Sequence, residues 1–368
     1  MKVLDFSQPD LTEHKGMAQY ARNVIPRLAR ILDDQSEEYV IVTTSSEVKQ
    51  AREVLLDWKV NLDVLKVARS LVSLYTNSLE ARKLFGVTEV DFVSTYPRYP
   101  IWNRGRNTAT IHDITAYKHS RWYFIGTKKD NFFRKLFTKK RIDRLVESSG
   151  CSLAVVSEST ERDLKLCFLD LDLDTRVHYV GNGASHIHSS EDNPIRRKRE
   201  RYFCYVGSSS IHKNLKNMIL GFEMFSKSNP AYVLKIAGCN RPKHLDGRSL
   251  SNVEFLGPVS EKDKCELIEN AMAMLYLSHA EGFGIPPLES ILLGTPVLVS
   301  DIRVFSETLP EWNLKVDPFN PISISEGMNK LVADYERQLE YLLPTRQTIL
   351  ERYSWDAVAL RYMKMLSN

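Results

Sequence analysis

Short apolar runs rich in β-branched residues alternate along the whole chain with longer stretches of helical periodicity, and no other feature limits the fold as narrowly. A strand buried on both faces reads as a continuous apolar run, and a parallel neighbour needs a crossover helix. The alternation therefore specifies the α/β class, with parallel sheets covered by helices. Val3 to Phe6, Tyr39 to Thr43, Phe92 to Thr95, Ala109 to His112, Leu153 to Ser157 and Val177 to Val180 are expected as strands. Helices such as Ala18 to Ile31 and Ser159 to Lys165 lie between them. After Val180 the polar stretch GNGASHIHSSEDNPIRRKRER has no apolar period and reads as a linker. A second set follows, with strands Tyr202 to Val206, Tyr232 to Ala237, Val253 to Phe255, Met274 to Leu277 and Pro296 to Val299. Its helices are Leu215 to Ser226, Glu261 to Asn270 and Pro287 to Leu293. Two doubly wound halves are thus expected, residues 1–183 and 201–352, joined by a linker over 184–200. A cleft between their strand C-termini is where such sheets bind ligands.

Charge and cysteine usage narrow the partners. Lys and Arg total 50 against 46 Asp and Glu, a net charge of +4, yet residues 101–150 alone hold 12 basic and 4 acidic side chains. That local excess suits a phosphate-bearing or membrane-surface partner, and no nucleic-acid partner is expected. Within it, residues 126–145 carry Phe132, Phe133, Leu136 and Phe137 at helical spacing among Lys and Arg. The segment reads either as an interfacial helix on an anionic membrane or as a domain helix with its apolar face in the core. Cys151, Cys167, Cys204, Cys239 and Cys265 are scattered singly, which favours reduced core residues of a cytoplasmic protein over a zinc site or disulfide framework. The N-terminus lacks the pattern of an export signal, and no run is long and apolar enough to span a bilayer.

The chemistry concentrates in HAEGFGIPPLESILLGTPVLVSD, residues 279–301. A strand ends near Leu277, a two-glycine loop follows, Pro286 and Pro287 open a helix, and Gly294 closes it. Gly282 and Gly284 let backbone approach a ligand, and amides at a helix start hold an anion such as a diphosphate. Glu281 and Glu289 are spaced to meet two ends of one extended ligand. By itself the pattern specifies an anion-binding turn. A second loop, YVGSSSIHKNLKNMILGF at residues 205–222, delivers Gly207 and Ser208 ahead of His212 and Lys213, again suited to phosphate. A third, ATIHDITAY at residues 109–117, ends a strand at His112 and Asp113. There His112 is open to two readings, a ligand contact or a buried ring satisfied by a backbone carbonyl.

Taken in this order, the three stretches resemble the retaining glycosyltransferases of family four (glycosyl transferases group 1). Residues 281–289 look like that family's Glu-x7-Glu signature. The resemblance implies a GT-B fold of two Rossmann-like doubly wound domains facing a central cleft. It also implies transfer of a hexose, taken as mannosyl, from a nucleoside-diphosphate sugar to a glycan or lipid-linked acceptor in surface polysaccharide synthesis. Lys213 would stabilise the leaving phosphate, Glu281 would contact the donor sugar and Glu289 would accept from the ribose hydroxyls. The amides of Gly282, Phe283, Gly284 and Ile285 would hold sugar and phosphate, and His112 would lie beside the sugar. The stretch HKGMAQYARNVIPRL resembles the family's first loop and helix, with Gly16 as its remaining glycine. YSWDAVALRYMKML, within residues 353–368, resembles a helix that crosses back onto the first domain. No Asp-x-Asp metal motif stands beside a donor-loop candidate, so no cofactor and no obligatory metal are expected, and the protein is expected in the cytoplasm or at the inner membrane face through residues 126–145. A nucleotide-sugar epimerase and a non-catalytic sugar-nucleotide-binding protein are the alternatives on the same fold.

Overall fold

A computed structural model describes residues 1–7, 16–118, 139–184, 199–242, 247, 250–311 and 313–367. Their contacts divide the chain into two units. One holds the described residues up to Gly183 and again from Trp355, and the other those from Ala184 to Ser354.

The first unit is built on strands β1 (Lys2–Asp5), β2 (Tyr39–Thr44), β3 (Leu65–Ala68), β4 (Asp91–Ser94), β5 (Asn107–Ile111), β6 (Cys151–Val155) and β7 (Val177–Tyr179). They form one sheet in the order β3-β2-β1-β4-β5-β6-β7, with every pairing parallel. The helices between them are α1 (Gly16–Asp34), α2 (Val48–Asp57), α3 (Leu71–Thr76), α4 (Ser78–Phe85), α5 (Thr115–Lys118) and α6 (Glu158–Cys167). In α1 the buried side chains Ala18, Ala21, Val24, Ile25, Leu28, Ala29 and Leu32 recur at helical spacing, so one stripe faces the core. The order of strands reverses between β1 and β4, which is the switch point of this sheet.

The second unit repeats the plan with β8 (Tyr202–Val206), α7 (Leu215–Ser226), β9 (Val233–Ala237), β10 (Val253–Gly257), α8 (Glu261–Asn270), β11 (Ala273–Tyr276), α9 (Ile285–Leu292), β12 (Val297–Ser300), α10 (Arg303–Thr308), β13 (Leu314–Val316), α11 (Pro321–Ala333) and α12 (Tyr335–Arg352). Its sheet runs β10-β9-β8-β11-β12-β13, again parallel, with the switch point between β8 and β11. The chain then returns to the first unit as α13 (Trp355–Ser367). Trp355 is fully buried there, edge-on to Tyr20 of α1 at 5.5 Å, and Arg361 Nε donates to the Val180 carbonyl at 2.8 Å. A Cβ on Gly183 would lie 2.3 Å from the Trp355 indole, so only glycine lets that backbone pass.

Two strands were not expected from the sequence. β3 and β13 lie at sheet edges, are short, and carry Lys66 and Lys315 within their runs, so neither presents the continuous apolar pattern of a central strand. Among the cysteines, Cys151, Cys204 and Cys239 are buried, whereas Cys167 at the end of α6 is exposed and Cys265 is half-buried, which corrects the expectation of five core thiols. Of the basic segment 126–145, residues 126–138 lie outside the described residues, as do most of the linker expected over 184–200 and Lys15. Residues 139–147 are helical and place Ile142, Leu145 and Val146 in the core. No described helix is long and apolar enough to cross a membrane.

Candidate functional site

The switch point of the second sheet brings together the two loops that the sequence singled out. β8 delivers Gly207 and the 3-10 turn Ile211–Lys213, and the neighbouring β11 delivers residues 277–284. Two bonds tie the loops, and a third leads from Asn214 to the segment after β13. The His279 amide donates to the His212 carbonyl at 2.7 Å, and Asn214 Nδ2 donates to the carbonyls of Leu277 at 2.9 Å and Pro318 at 2.7 Å. Asn214 adopts φ +59°, a left-handed conformation that asparagine tolerates and that aims the preceding lysine across the switch point.

Lys213 Nζ lies 2.6 Å from Glu281 Oε1 and donates to the Tyr276 hydroxyl at 3.0 Å. The side chains of Lys213 and Glu281 are only 15% and 10% exposed, so their attraction is weakly screened. Tyr276 stacks on Tyr205 with centroids 5.9 Å apart, and burial, then the Glu281 charge, push its phenol well above the ordinary value. The phenol therefore stays protonated and serves as a hydrogen-bond donor or acceptor between the two charges. Neither Tyr276 nor Asn214 was foreseen, because an aromatic on a buried strand and an asparagine before a helix read as ordinary core and cap.

The glycines act by space more than by donation. The Gly207 amide donates to the Ala237 carbonyl at 3.0 Å, and a Cβ there would lie 2.5 Å from the Tyr205 hydroxyl. Tyr205 in turn donates to the Ser208 carbonyl at 2.8 Å, and the exposed Ser208 hydroxyl donates to Ser210 at 3.0 Å. At the other loop Gly284 has φ +90°, and a Cβ would lie 2.5 Å from the Phe305 ring. Pro286 and Pro287 lie at the opening of the helix as expected, one residue inside its start. α9 starts at Ile285, so two residues of its first turn have no N–H. An anion at this helix start is left with the amides of residues 282–285. The Phe283 side chain is buried edge-on against Tyr353 at 5.3 Å, so only its backbone faces the loop.

Glu289, one turn into α9, is 4% exposed. Lys264 of α8 reaches both its oxygens, at 3.2 and 3.3 Å, and also pairs with Glu261 at 2.7 Å. Burial works against the Lys264 charge, but the carboxylates of Glu289 and Glu261 outweigh it and hold its pKa above the ordinary 10.5. Sequence reasoning missed Lys264, although a signal was present. It lies four residues before Ile268, on the face that α8 buries.

His112 and Gly16 belong to the first unit. His112 Nε2 lies 2.8 Å from the Thr95 carbonyl, which only accepts, so Nε2 carries the proton and Nδ1 of the neutral ring is an acceptor. Burial pushes its pKa below 6.5, and its ring meets Tyr20 edge-on at 4.9 Å. The reading of His112 as a buried ring satisfied by a backbone carbonyl is met at Nε2, and Nδ1 keeps acceptor character. Asp113 Oδ1 accepts from the Thr115 amide at 2.9 Å and caps the turn. Gly16 is the exposed first residue of α1, and the loop before it lies outside the described residues.

A further network at the first sheet's switch point had no sequence signal. Asp5, fully buried at the end of β1, accepts from Ser94 Oγ at 2.8 Å and the Ser7 amide at 3.0 Å, as well as from the Ser7 and Tyr75 hydroxyls. Arg98 Nε approaches it at 3.4 Å, with the guanidinium between the Tyr75 and Tyr96 rings. Its role is to fix the chain leaving β1 and β4.

Residues 189–342 match the family described as Glycosyl transferases group 1. The O-antigen chain mannosyltransferase RfbU of Salmonella typhimurium is 28% identical over 68% of this chain and 66% of its own length, just under two thirds. The O-antigen chain mannosyltransferase B of Escherichia coli is 22% identical over 97% of each chain. Among solved structures, Anabaena HepE in complex with UDP-glucose superposes with a TM-score of 0.68 at 12% identity, covering 100% of this chain and 99% of that one. WaaG, a glycosyltransferase of lipopolysaccharide biosynthesis, superposes with a TM-score of 0.63 at 13% identity over 100% of both. At such identities the superpositions speak to the fold alone, which is GT-B. The fold is thus that of the GT-B proteins, and the match to Glycosyl transferases group 1 spans the loops that carry Lys213, Glu281 and Glu289.

Proposed function

We propose that the chain transfers a hexosyl group, mannosyl in the first instance, from a nucleoside-diphosphate sugar to a glycan or lipid-linked acceptor during surface polysaccharide synthesis, with retention at the anomeric carbon. The observation that carries the reading is the convergence of Lys213 and Glu281 at the switch point, beside the glycine-bounded start of α9. The mannosyl donor and polysaccharide acceptor are suggested by the O-antigen mannosyltransferases among the relatives.

Departure of a nucleoside diphosphate leaves negative charge on the leaving phosphate while positive charge grows at the anomeric carbon. In this proposal Lys213 releases Glu281 to meet the phosphate, and the amides of Gly282 to Ile285 add backbone donors. Removing one such donor typically costs ~2.7 to 4 kcal/mol of transition-state stabilisation. Glu281, relieved of its partner, accepts from sugar hydroxyls, and Glu289 accepts from the ribose. His112 offers Nδ1 as an acceptor to a sugar hydroxyl. The departing phosphate takes the acceptor's proton, so no protein nucleophile and no obligatory metal enter the proposal. The basic stretch over 126–145 is proposed to hold the protein at the inner face of an anionic membrane.

The test is a screen of GDP-, UDP- and ADP-sugars for thermal stabilisation and hydrolysis, repeated with Lys213→Ala and Glu289→Ala and with EDTA. One donor is expected to stabilise the wild type and neither variant, with turnover insensitive to EDTA. Equal stabilisation of wild type and variants overturns the assignment, and loss of turnover in EDTA overturns the metal-free route.

A further inference from the structure

Lys264 occupies a place where an apolar residue is the ordinary choice. It lies on the buried face of α8, one turn before the fully buried Ile268, and its ammonium enters a site with two carboxylates. A buried ion pair is often no more stabilising than apolar residues of the same volume, so stability alone does not account for it. The geometry is also specific. The ammonium is nearly equidistant from the two oxygens of Glu289, at 3.2 and 3.3 Å, while Glu261 anchors it at 2.7 Å from its own helix. The start of α9 does little to neutralise Glu289, since Pro286 and Pro287 contribute no N–H.

We infer that Lys264 is a positioning residue for donor binding, whose ammonium keeps the Glu289 carboxylate ionised and oriented as the acceptor of the donor's ribose hydroxyls. The inference rests on the proposed ribose role of Glu289. A carboxylate accepts about four hydrogen bonds, so the ion pair and a diol share it without conflict. A protonated Glu289 would offer one donor and fewer acceptors, and an ionised but unpaired one would be driven to take up a proton by its burial. Among the described residues, the titratable groups whose charges act with Glu289 include Lys264 and Cys265 from α8 and Tyr276 from β11, and Glu261 acts through Lys264. Lys264 is the cation among these groups, and it touches both oxygens of Glu289.

The experiment measures Kd for GDP, UDP and ADP and for their 2′-deoxy forms on the full chain at pH 6, 7.5 and 9. The proteins are the wild type, Lys264→Met, Lys264→Arg, Glu289→Gln and the double variant Lys264→Met/Glu289→Gln. For the nucleotide that the wild type binds tightest, Lys264→Met is expected to weaken binding about ten-fold or more at pH 6, the scale of one hydrogen bond to a charged group. Binding is expected to recover toward pH 9 as the carboxylate ionises, and Lys264→Arg to stay within about three-fold of wild type on the same scale. The 2′-deoxy form is expected to penalise the wild type but not Lys264→Met at pH 6. The double variant removes the charge of Glu289 together with that of its partner and keeps the comparison available if Lys264→Met folds poorly; its Kd is expected to equal that of Glu289→Gln. A loss in Lys264→Met that is independent of pH and equal for ribose and 2′-deoxyribose overturns the positioning role, as does an equal effect of Lys264→Met in both Glu289 backgrounds. If Glu289→Gln binds every nucleotide like the wild type, or if the wild type binds none, the ribose role of Glu289 itself fails.

Discussion

Replacing Lys213 by methionine and Glu281 by glutamine, singly and together, separates what their ion pair does for stability from what it does for turnover. Lys213→Met strands the Glu281 carboxylate, 10% exposed, with the Tyr276 phenol as its remaining neighbour in this cluster. Breaking a buried pair from one side costs about 3 to 5 kcal/mol, and the partial exposure of both groups places this one near 3. For a unit of this size that corresponds to a fall in Tm of roughly 6 to 12 °C. Glu281→Gln is expected to fall less, because the amide still accepts from the ammonium. The double variant holds two neutral side chains of nearly unchanged volume and is expected to regain about 2 kcal/mol over the sum of the single losses. Turnover behaves otherwise. Lys213→Met is expected to lose about 100- to 1,000-fold in kcat, and the double variant to stay as inactive despite its recovered stability. Thermal unfolding by calorimetry and single-donor turnover read the two quantities on the same preparations. The reasoning is refuted if the single variants keep the wild-type Tm, if their losses simply add in the double variant, or if turnover recovers together with Tm.

His112 supplies a pH dependence with a definite sign. Its folded pKa lies below its ordinary 6.5 because it is buried, so the unfolded chain binds the extra proton first. Its contribution is complete above 6.5 and is lost as pH falls below that value, and His112→Asn is expected to flatten this part of the stability profile between pH 8 and 5. An unchanged slope in urea titrations of the variant contradicts the assignment. Gly284→Ala places a Cβ 2.5 Å from the Phe305 ring at φ +90°, where both the backbone and the packing resist it. Overpacking of this kind costs about 1 to 3 kcal/mol, and the shifted start of α9 is expected to weaken donor binding as well, seen as a lower Tm together with a raised donor KM. A variant with wild-type Tm and KM would show that the loop adjusts freely.

Much of the fold was legible because central parallel strands must be apolar along their whole length. Tyr202–Val206, Leu215–Ser226 and Glu261–Asn270 occur over the ranges expected for them, while other elements shift at their ends by one to three residues. The edge strands β3 and β13 escaped because an edge is half-solvated and tolerates Lys66 and Lys315. The loops that bring Lys213 and Glu281 together were legible as well, through glycines that mark close backbone approach. Further partners were not. Tyr276 and Lys264 sit where strand and helix periodicity calls for core residues, and periodicity has no means to say that a core position faces a charge.

What the sequence determined by itself is therefore the class of the two sheets and the loops in which charge is concentrated, since both follow from local pattern and spacing. Only the tertiary structure decided which charges meet. Lys213 and Glu281 are far apart in the chain and 2.6 Å apart in space because β8 and β11 are neighbours at a switch point. Glu289 faces Lys264 because α8 and α9 present these side chains to each other. Such pairings depend on strand order and helix rotation, and those are fixed by the burial of the whole sheet rather than by the residues that make the pair.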